Sequence, residues 1–206
     1  MHTFVKRLMV LVLGGWVMAI AGCAGSPHTR FYVLAPVAGA EQSNSAMSAE
    51  AGLAVGIRRV ALPDYLDRPQ IVTRVGPNTL DLAEFDRWAA PLGDAFSRIL
   101  AENLAGMIPT DRVAVFPWPR GVQPDYEVTV EVTQFEGRLG GECALVARWS
   151  VFGRESKALL TTGKSSLREP AGGDYETLVS AESRLIGALS RDIATAVKTI
   201  PREDTQ

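Results

Sequence analysis

The chain has 206 residues, with 21 Lys and Arg against 23 Asp and Glu, 47% hydrophobic residues, two cysteines and two histidines. That length sustains one domain with a proper core. The slightly acidic balance offers no phosphate-binding surface and speaks against nucleic acid as a partner, and two cysteines exclude a disulfide framework.

Lys6 and Arg7 precede an apolar run from Leu8 to Ile20, broken only by Gly14 and Gly15. It is shorter than the about 20 residues that cross a bilayer as a helix and fits the hydrophobic region of a secretory signal peptide. Ile20-Ala21-Gly22-Cys23 then sets an aliphatic residue and two small ones before a cysteine. This order resembles a bacterial lipobox. Residues 1–22 therefore read as a lipoprotein signal peptide, Cys23 as the lipid-attachment site carrying diacylglycerol and an N-acyl chain, and residues 23–30 as the lipidated N-terminus and tether. Several acyl chains together make a durable anchor, so the chain is expected to sit on a membrane without spanning it. Ala24 stands where an Asp would retain a lipoprotein at the inner membrane, which directs this one to the outer membrane, facing the periplasm. His2 falls in the signal and His28 in the tether, so the body contains no histidine. That removes Ser-His-Asp and Cys-His catalysis and a zinc site.

A single domain is expected over residues 31–201, followed by a polar tail at 202–206. Phe31 to Leu34 reads as a short strand ended by Pro36, and residues 36–52, rich in Ala, Ser, Gly and Glu, as a mobile surface loop. Leu53, Val55 and Ile57 alternate, and the apolar phase slips by one to Val60 and Leu62, as in a strand with a bulge. Pro63 to Pro69 is a rigid turn, and Gly76-Pro77-Asn78 joins two short strands in a hairpin. Leu92, Phe96, Ile99, Leu100, Asn103 and Leu104 recur at helical spacing up to Gly106; all but Asn103 are apolar. Arg112 to Phe116 predicts a buried strand, and Pro117-Trp118-Pro119 a stiff loop. The period-two alternation from Tyr126 to Val132, from Cys143 to Val151, and the segment Lys157 to Leu167 predict a three-stranded meander. Asp174 caps a last helix whose stripe runs Leu178, Leu185, Ile186, Leu189, Ile193, Val197 and Ile200. The sum is a mixed α/β (α+β) fold: one mixed sheet of five to seven strands carrying two main helices.

No motif adds a reaction. Thr162-Gly163-Lys164-Ser165 ends like a nucleotide-binding loop but has Ala158 where the first glycine belongs, and it falls in a strand. Gly137, Gly140 and Gly141 lack the following helix of a dinucleotide fingerprint. Asp64, Asp67, Glu84 and Asp86 read as solvated carboxylates, and Cys143 and Trp149 as core, by their phase with Leu145. Tyr65, Leu66 and Arg68 in the Pro-flanked loop, with Trp88 and Trp118 beside prolines, are the candidate partner-binding residues.

Leu62-Pro63-Asp64-Tyr65-Leu66-Asp67-Arg68-Pro69-Gln70-Ile71-Val72, followed by Phe85-Asp86-Arg87-Trp88-Ala89-Ala90-Pro91-Leu92, resembles the ABC-transport auxiliary lipoproteins of the PqiC type. The likeness continues through Asn103-Leu104, Asp111-Arg112-Val113 and Pro124-Asp125-Tyr126 to the last helix, and departs at Ala90, where the family leads to an acidic residue. The resemblance implies a fold akin to the N-terminal domain of TolB, with no catalytic residue and no cofactor beyond the acyl chains on Cys23. It also implies a role beside an MCE-domain protein and a permease in moving lipid between two membranes. A docking module is the reading these observations favour, with a homo-oligomer left open. The alternatives are a lipid-binding carrier, which needs a cavity of several hundred Å³, and a periplasmic hydrolase.

Overall fold

In chain order the strands are β1 (Arg30–Tyr32), β2 (Ala54–Ile57), β3 (Gln70–Gly76), β4 (Thr79–Trp88), β5 (Arg112–Val115), β6 (Tyr126–Gly137), β7 (Glu142–Gly153) and β8 (Leu159–Pro170); the helices are α1 (Leu92–Met107) and α2 (Tyr175–Thr199). This is a computed structural model that describes residues 28–37, 53–110, 112–118, 123–154 and 158–201. Cys23, most of the 36–52 loop and the 202–206 tail lie outside the described residues.

The sheet is arranged about β6. One of its edges carries the antiparallel meander β6–β7–β8, matching the alternation in the sequence. The other edge is shared: β2 pairs parallel with its first half (Val55 opposite Tyr126), and β3 meets its last residue (Thr73 opposite Gly137). β5 extends the sheet beyond β2, while β4 and then β1 extend it beyond β3. The expected phase slip after Ile57 lies between these two partners. The chain leaves β2, follows β6 through Arg58 N to Val128 O (2.9 Å), and rejoins it where Ala61 N donates to Val130 O (3.0 Å).

Among the described residues the sheet has eight strands, more than the five to seven expected in total, and the short edge strands β1 and β5 both fall where the sequence places strands. β5 is not the buried strand that its composition predicted: Arg112 is exposed and the next three residues are half-buried, since only one side of the strand is paired. β2, by contrast, is buried at all four positions. A β-carbon on Gly56 would lie 2.7 Å from Pro124 Cγ and 3.1 Å from Trp118 Cζ2, so those residues cover the sheet face away from the helices.

Both helices pack on one face of the sheet and against each other. In α1 the stripe Leu92, Phe96, Ile99, Leu100, Asn103 and Leu104 is buried, and Arg98 and Glu102 pair outside at 2.8 Å. Asp174 caps α2 by accepting from Thr177 N at 2.8 Å, as the sequence predicts. Phe96 meets Phe135 of β6 edge-on at 5.1 Å, joining helix and sheet at the centre of the core. Gly163 has a packing role here. The Trp149 indole lies over it, donating through Nε1 to Ser165 Oγ (3.1 Å), which donates in turn to Asp192 of α2 at 2.6 Å.

A β-carbon at Gly163 would sit 2.2 Å from Trp149 Cζ2. Gly163→Ala is therefore expected to lower stability by about 1–3 kcal/mol through overpacking, read as a lower urea midpoint at unchanged slope.

Candidate functional site

The turn Pro63 to Pro69 contains one 3-10 turn, Asp64–Leu66, closed by Leu66 N to Pro63 O at 2.9 Å, and ends where Trp88 N donates to Pro69 O at 2.7 Å. It separates the candidate residues. Leu66 is 2% exposed and belongs to the core, and Trp88 is 6% exposed at the end of β4, paired with Tyr32 rather than standing in a connecting loop. The expectation that these two face a partner is corrected on physical grounds: Leu66 anchors the turn from beneath, and β4 runs on to Trp88 because β1 pairs there. Tyr65 and Arg68 are half-buried. The Arg68 Nε is buried without a hydrogen-bond partner among the described residues. Trp118 is half-buried, edge-on to Phe116 at 5.0 Å, and Phe116 is 49% exposed with the Arg58 guanidinium 5.5 Å above its ring. The turn and this aromatic pair stand at separate places on the fold.

The turn is held by a polar cluster that the sequence does not announce. Tyr65 donates its hydroxyl to Glu136 Oε2 at 2.9 Å, and Arg74 binds Glu136 Oε1 through Nε and Nη2, each at 2.7 Å. Gln134 Nε2 adds a bond of 3.1 Å, and Phe135 N donates to Oε2 at 3.1 Å. Glu136 lies beyond a bulge between Val132 and Gln134, where Phe135, Glu136 and Gly137 are all buried. Burial and the bond to Glu136 push the Tyr65 phenol up to about 12. Glu182 of α2 is 1% exposed, and its Oε2 has no partner among the described residues. Burial first, and then the charge of Glu136, push its carboxyl well above the usual carboxylate range. The same burial, with both glutamates nearby, raises the Cys143 thiol. Neither the thiol nor the phenol is ionised at neutral pH. Glu182 was legible in principle: it falls four residues after Leu178 and four before Ile186, on the apolar stripe. Glu136 keeps the even phase of Val128, Val130 and Val132, and the bulge brings Phe135 and Gly137 in beside it, so three successive residues are buried.

Of the four carboxylates noted in the sequence, Asp64, Asp67 and Glu84 are exposed. Asp86 is buried, taken up by Arg30 Nε at 2.8 Å and the Tyr32 hydroxyl at 2.8 Å. Those bonds fasten β1 to β4. From there Leu34 to Val37 runs as a strap across the two helices: Ala35 N donates to Ser183 Oγ (3.2 Å) and Val37 N to Asn103 Oδ1 (3.1 Å). Asn103, the polar break in the α1 stripe, thus receives the strap, and Gly187 makes room for Val37, whose Cγ1 would be 2.5 Å from a β-carbon there. Beside the strap lies a groove of about 450 Å³, lined by Val33, Val37, Val179, Ser180, Arg184 and Arg191 among others. Among the described residues no helix is long and apolar enough to cross a membrane, and no three His, Cys, Asp or Glu side chains are gathered to hold a metal ion.

The described residues form one open mixed sheet with two helices. The chain belongs to the family of ABC-type transport auxiliary lipoprotein components, whose profile matches residues 32–194. It is similar to the intermembrane transport lipoprotein PqiC of Escherichia coli (strain K12), 26% identical over 144 residues that cover 70% of this chain and 73% of the relative; the Shigella flexneri protein of the same name matches equally. The expected PqiC-type membership is thereby shown. The fold matches a crystal structure of an uncharacterized protein with a TM-score of 0.67 at 22% identity, over 83% of this chain and 99% of that one. A Xanthomonas campestris protein matches with a TM-score of 0.63 at 13% identity, over 82% and 94%. The mixed sheet with two helices is the fold the sequence predicts.

The raised carboxyl of Glu182 sets a pH dependence. Below the usual carboxylate value of about 4.3 the group is protonated in both folded and unfolded chains and costs nothing. Above it the unfolded chain releases the proton while the folded chain keeps it, so stability falls by about 1.4 kcal/mol per pH unit until the folded group titrates. Glu182→Gln is expected to remove this slope: equal to the parent chain near pH 4 and more stable at pH 7, in urea titrations run at both.

Proposed function

We propose that the chain is a lipid-anchored docking component of an MCE-type intermembrane lipid transport system, held at the outer membrane by acyl chains on Cys23 and facing the periplasm. The observation that carries this reading is the lipobox order Ile20-Ala21-Gly22-Cys23 in front of a domain of the auxiliary lipoprotein family. The name intermembrane transport lipoprotein, borne by its relatives, supplies the transport role. The domain acts by contact and not by catalysis: its body has no histidine and its one cysteine is buried. Tethering keeps the contact surface at high effective concentration near the membrane, so a modest interface suffices.

The contact surface is assigned to Tyr65 and Arg68 on the Pro-flanked turn and to Trp118 with its neighbour Phe116. Arg68 brings a buried Nε with an unmet hydrogen bond, and the aromatic pair exposes an apolar edge. Leu66 and Trp88 hold these surfaces from within.

Cys23→Ser is expected to abolish labelling by a palmitate analogue and to move the protein from the membrane to the soluble periplasmic fraction. In pull-downs with the MCE-domain protein, Arg68→Ala is expected to weaken recovery at least tenfold, the loss of about 1.4 kcal/mol or more that marks an interface hot spot. Unchanged recovery removes the turn from the interface, and labelling of the Cys23→Ser chain removes the anchor.

A further inference from the structure

The segment that contains β1 carries a surface that internal packing does not explain. Along the extended segment from Phe31 to Ala35, alternate side chains turn inward: Tyr32 binds Asp86, and Leu34 is buried. Phe31 and Val33 turn outward on the other side, 65% and 64% exposed. Two large apolar side chains exposed at adjacent positions are a poor choice for water.

Val33 forms one wall of the groove beside the strap, and α2 forms the other with Val179, Arg184 and Arg191. Arg184 is held by Glu169 (Nε–Oε2 3.1 Å) and by Pro170 O (Nη2, 3.3 Å), which orients its head. Arg191 is exposed and has no acidic partner among the described residues. After the Glu169 pair is counted, one positive charge is left in a lining that is apolar apart from Ser180 and Ser183.

We infer that this groove is the face on which the domain rests against an anionic phospholipid surface, with Phe31 and Val33 in the interfacial layer and Arg184 and Arg191 on lipid phosphates. Reach argues for that occupant. Six residues lie between Cys23 and Arg30, and the seven Cα-to-Cα steps at about 3.5 Å each extend no further than about 25 Å. Because β1 is the first element and is locked to β4 through Asp86, it is the edge of the fold nearest the anchor. Chemistry argues likewise: apolar side chains beside arginines are what the headgroup boundary accepts, and a guanidinium matches phosphate in a fixed fork. The inference rests on the proposed acylation of Cys23 and adds to it an orientation. The groove faces the bilayer, and the open sheet face and the Pro63–Pro69 turn stay free for a protein partner.

The test uses the mature acylated chain in vesicles of phosphatidylglycerol and phosphatidylcholine. Phe31→Cys, Val33→Cys and, as a control on the open sheet face, Thr133→Cys each carry a nitroxide; Cys143 is buried and escapes labelling. Labels at 31 and 33 are expected to be reached by oxygen in preference to a water-soluble nickel complex, and the label at 133 to show the reverse. Arg191→Gln, which breaks no internal bond, is expected to lower the immersed fraction about fivefold, as is replacement of phosphatidylglycerol by phosphatidylcholine. Anchored protein whose labels at 31 and 33 stay open to the nickel complex overturns the inference and leaves the anchor intact. Protein that does not float with the vesicles overturns both. Labels already shielded in solution, or one phospholipid per chain retained after removal from the vesicles, overturn it as well, by showing another occupant.

Discussion

A buried carboxylate on a shared strand is the constraint that organises this fold. Glu136 sits where β6 has just bulged and where β3 arrives to take over from β2 along the same edge. A lone charge there would cost several kcal/mol. It is met by Arg74 from β3, Tyr65 from the Pro-flanked turn, and Gln134 and a main-chain amide from its own strand. Satisfying one side chain therefore fixes the turn and the β3 that follows it against β6, more than sixty residues further along the chain. The turn is oriented by its tyrosine, Leu66 follows into the core, and Arg68 is left half-buried with its Nε unpaired among the described residues.

A second set of polar groups governs how the chain enters the domain. Asn103 and Ser183 interrupt two apolar helix faces, and each accepts a bond from the strap that follows β1. Directly before it, Asp86 gathers Arg30 and Tyr32. The exit point of the tether is set by the interior, not by a loose contact at the surface. In a protein proposed to work at a membrane this matters, because an anchor fixed at one end of a rigid domain holds the remaining faces at a defined angle to the bilayer.

Much of the architecture was legible because it rests on periodic patterns read locally. Both helices, their stripes, the Asp174 cap and the meander from Tyr126 onward follow from spacings of two, three and four. So did the core placement of Cys143 and Trp149. The short edge strand β5 was placed correctly but misjudged in burial, because four residues hold too little pattern to show which side is paired. The surface residues fared unevenly for a related reason. Tyr65, Leu66 and Arg68 occupy one turn, and nothing in their order tells which points inward.

The family resemblance was carried by a contiguous stretch around the Pro-flanked turn, so it too was available before any fold was known, as was the cysteine that ends the apolar leader. By itself, then, the sequence determined the class of protein, the helices and the long strands, since each is encoded by neighbours in the chain. Only the tertiary structure decided that Glu136 and Glu182 share the interior with Cys143, that Asn103 receives the strap, and that Val33 borders a groove with Arg184 and Arg191. Those groups are separated by tens of residues, and their meeting depends on a bulge, a shared strand edge and the packing of two helices, none of which leaves a periodic trace.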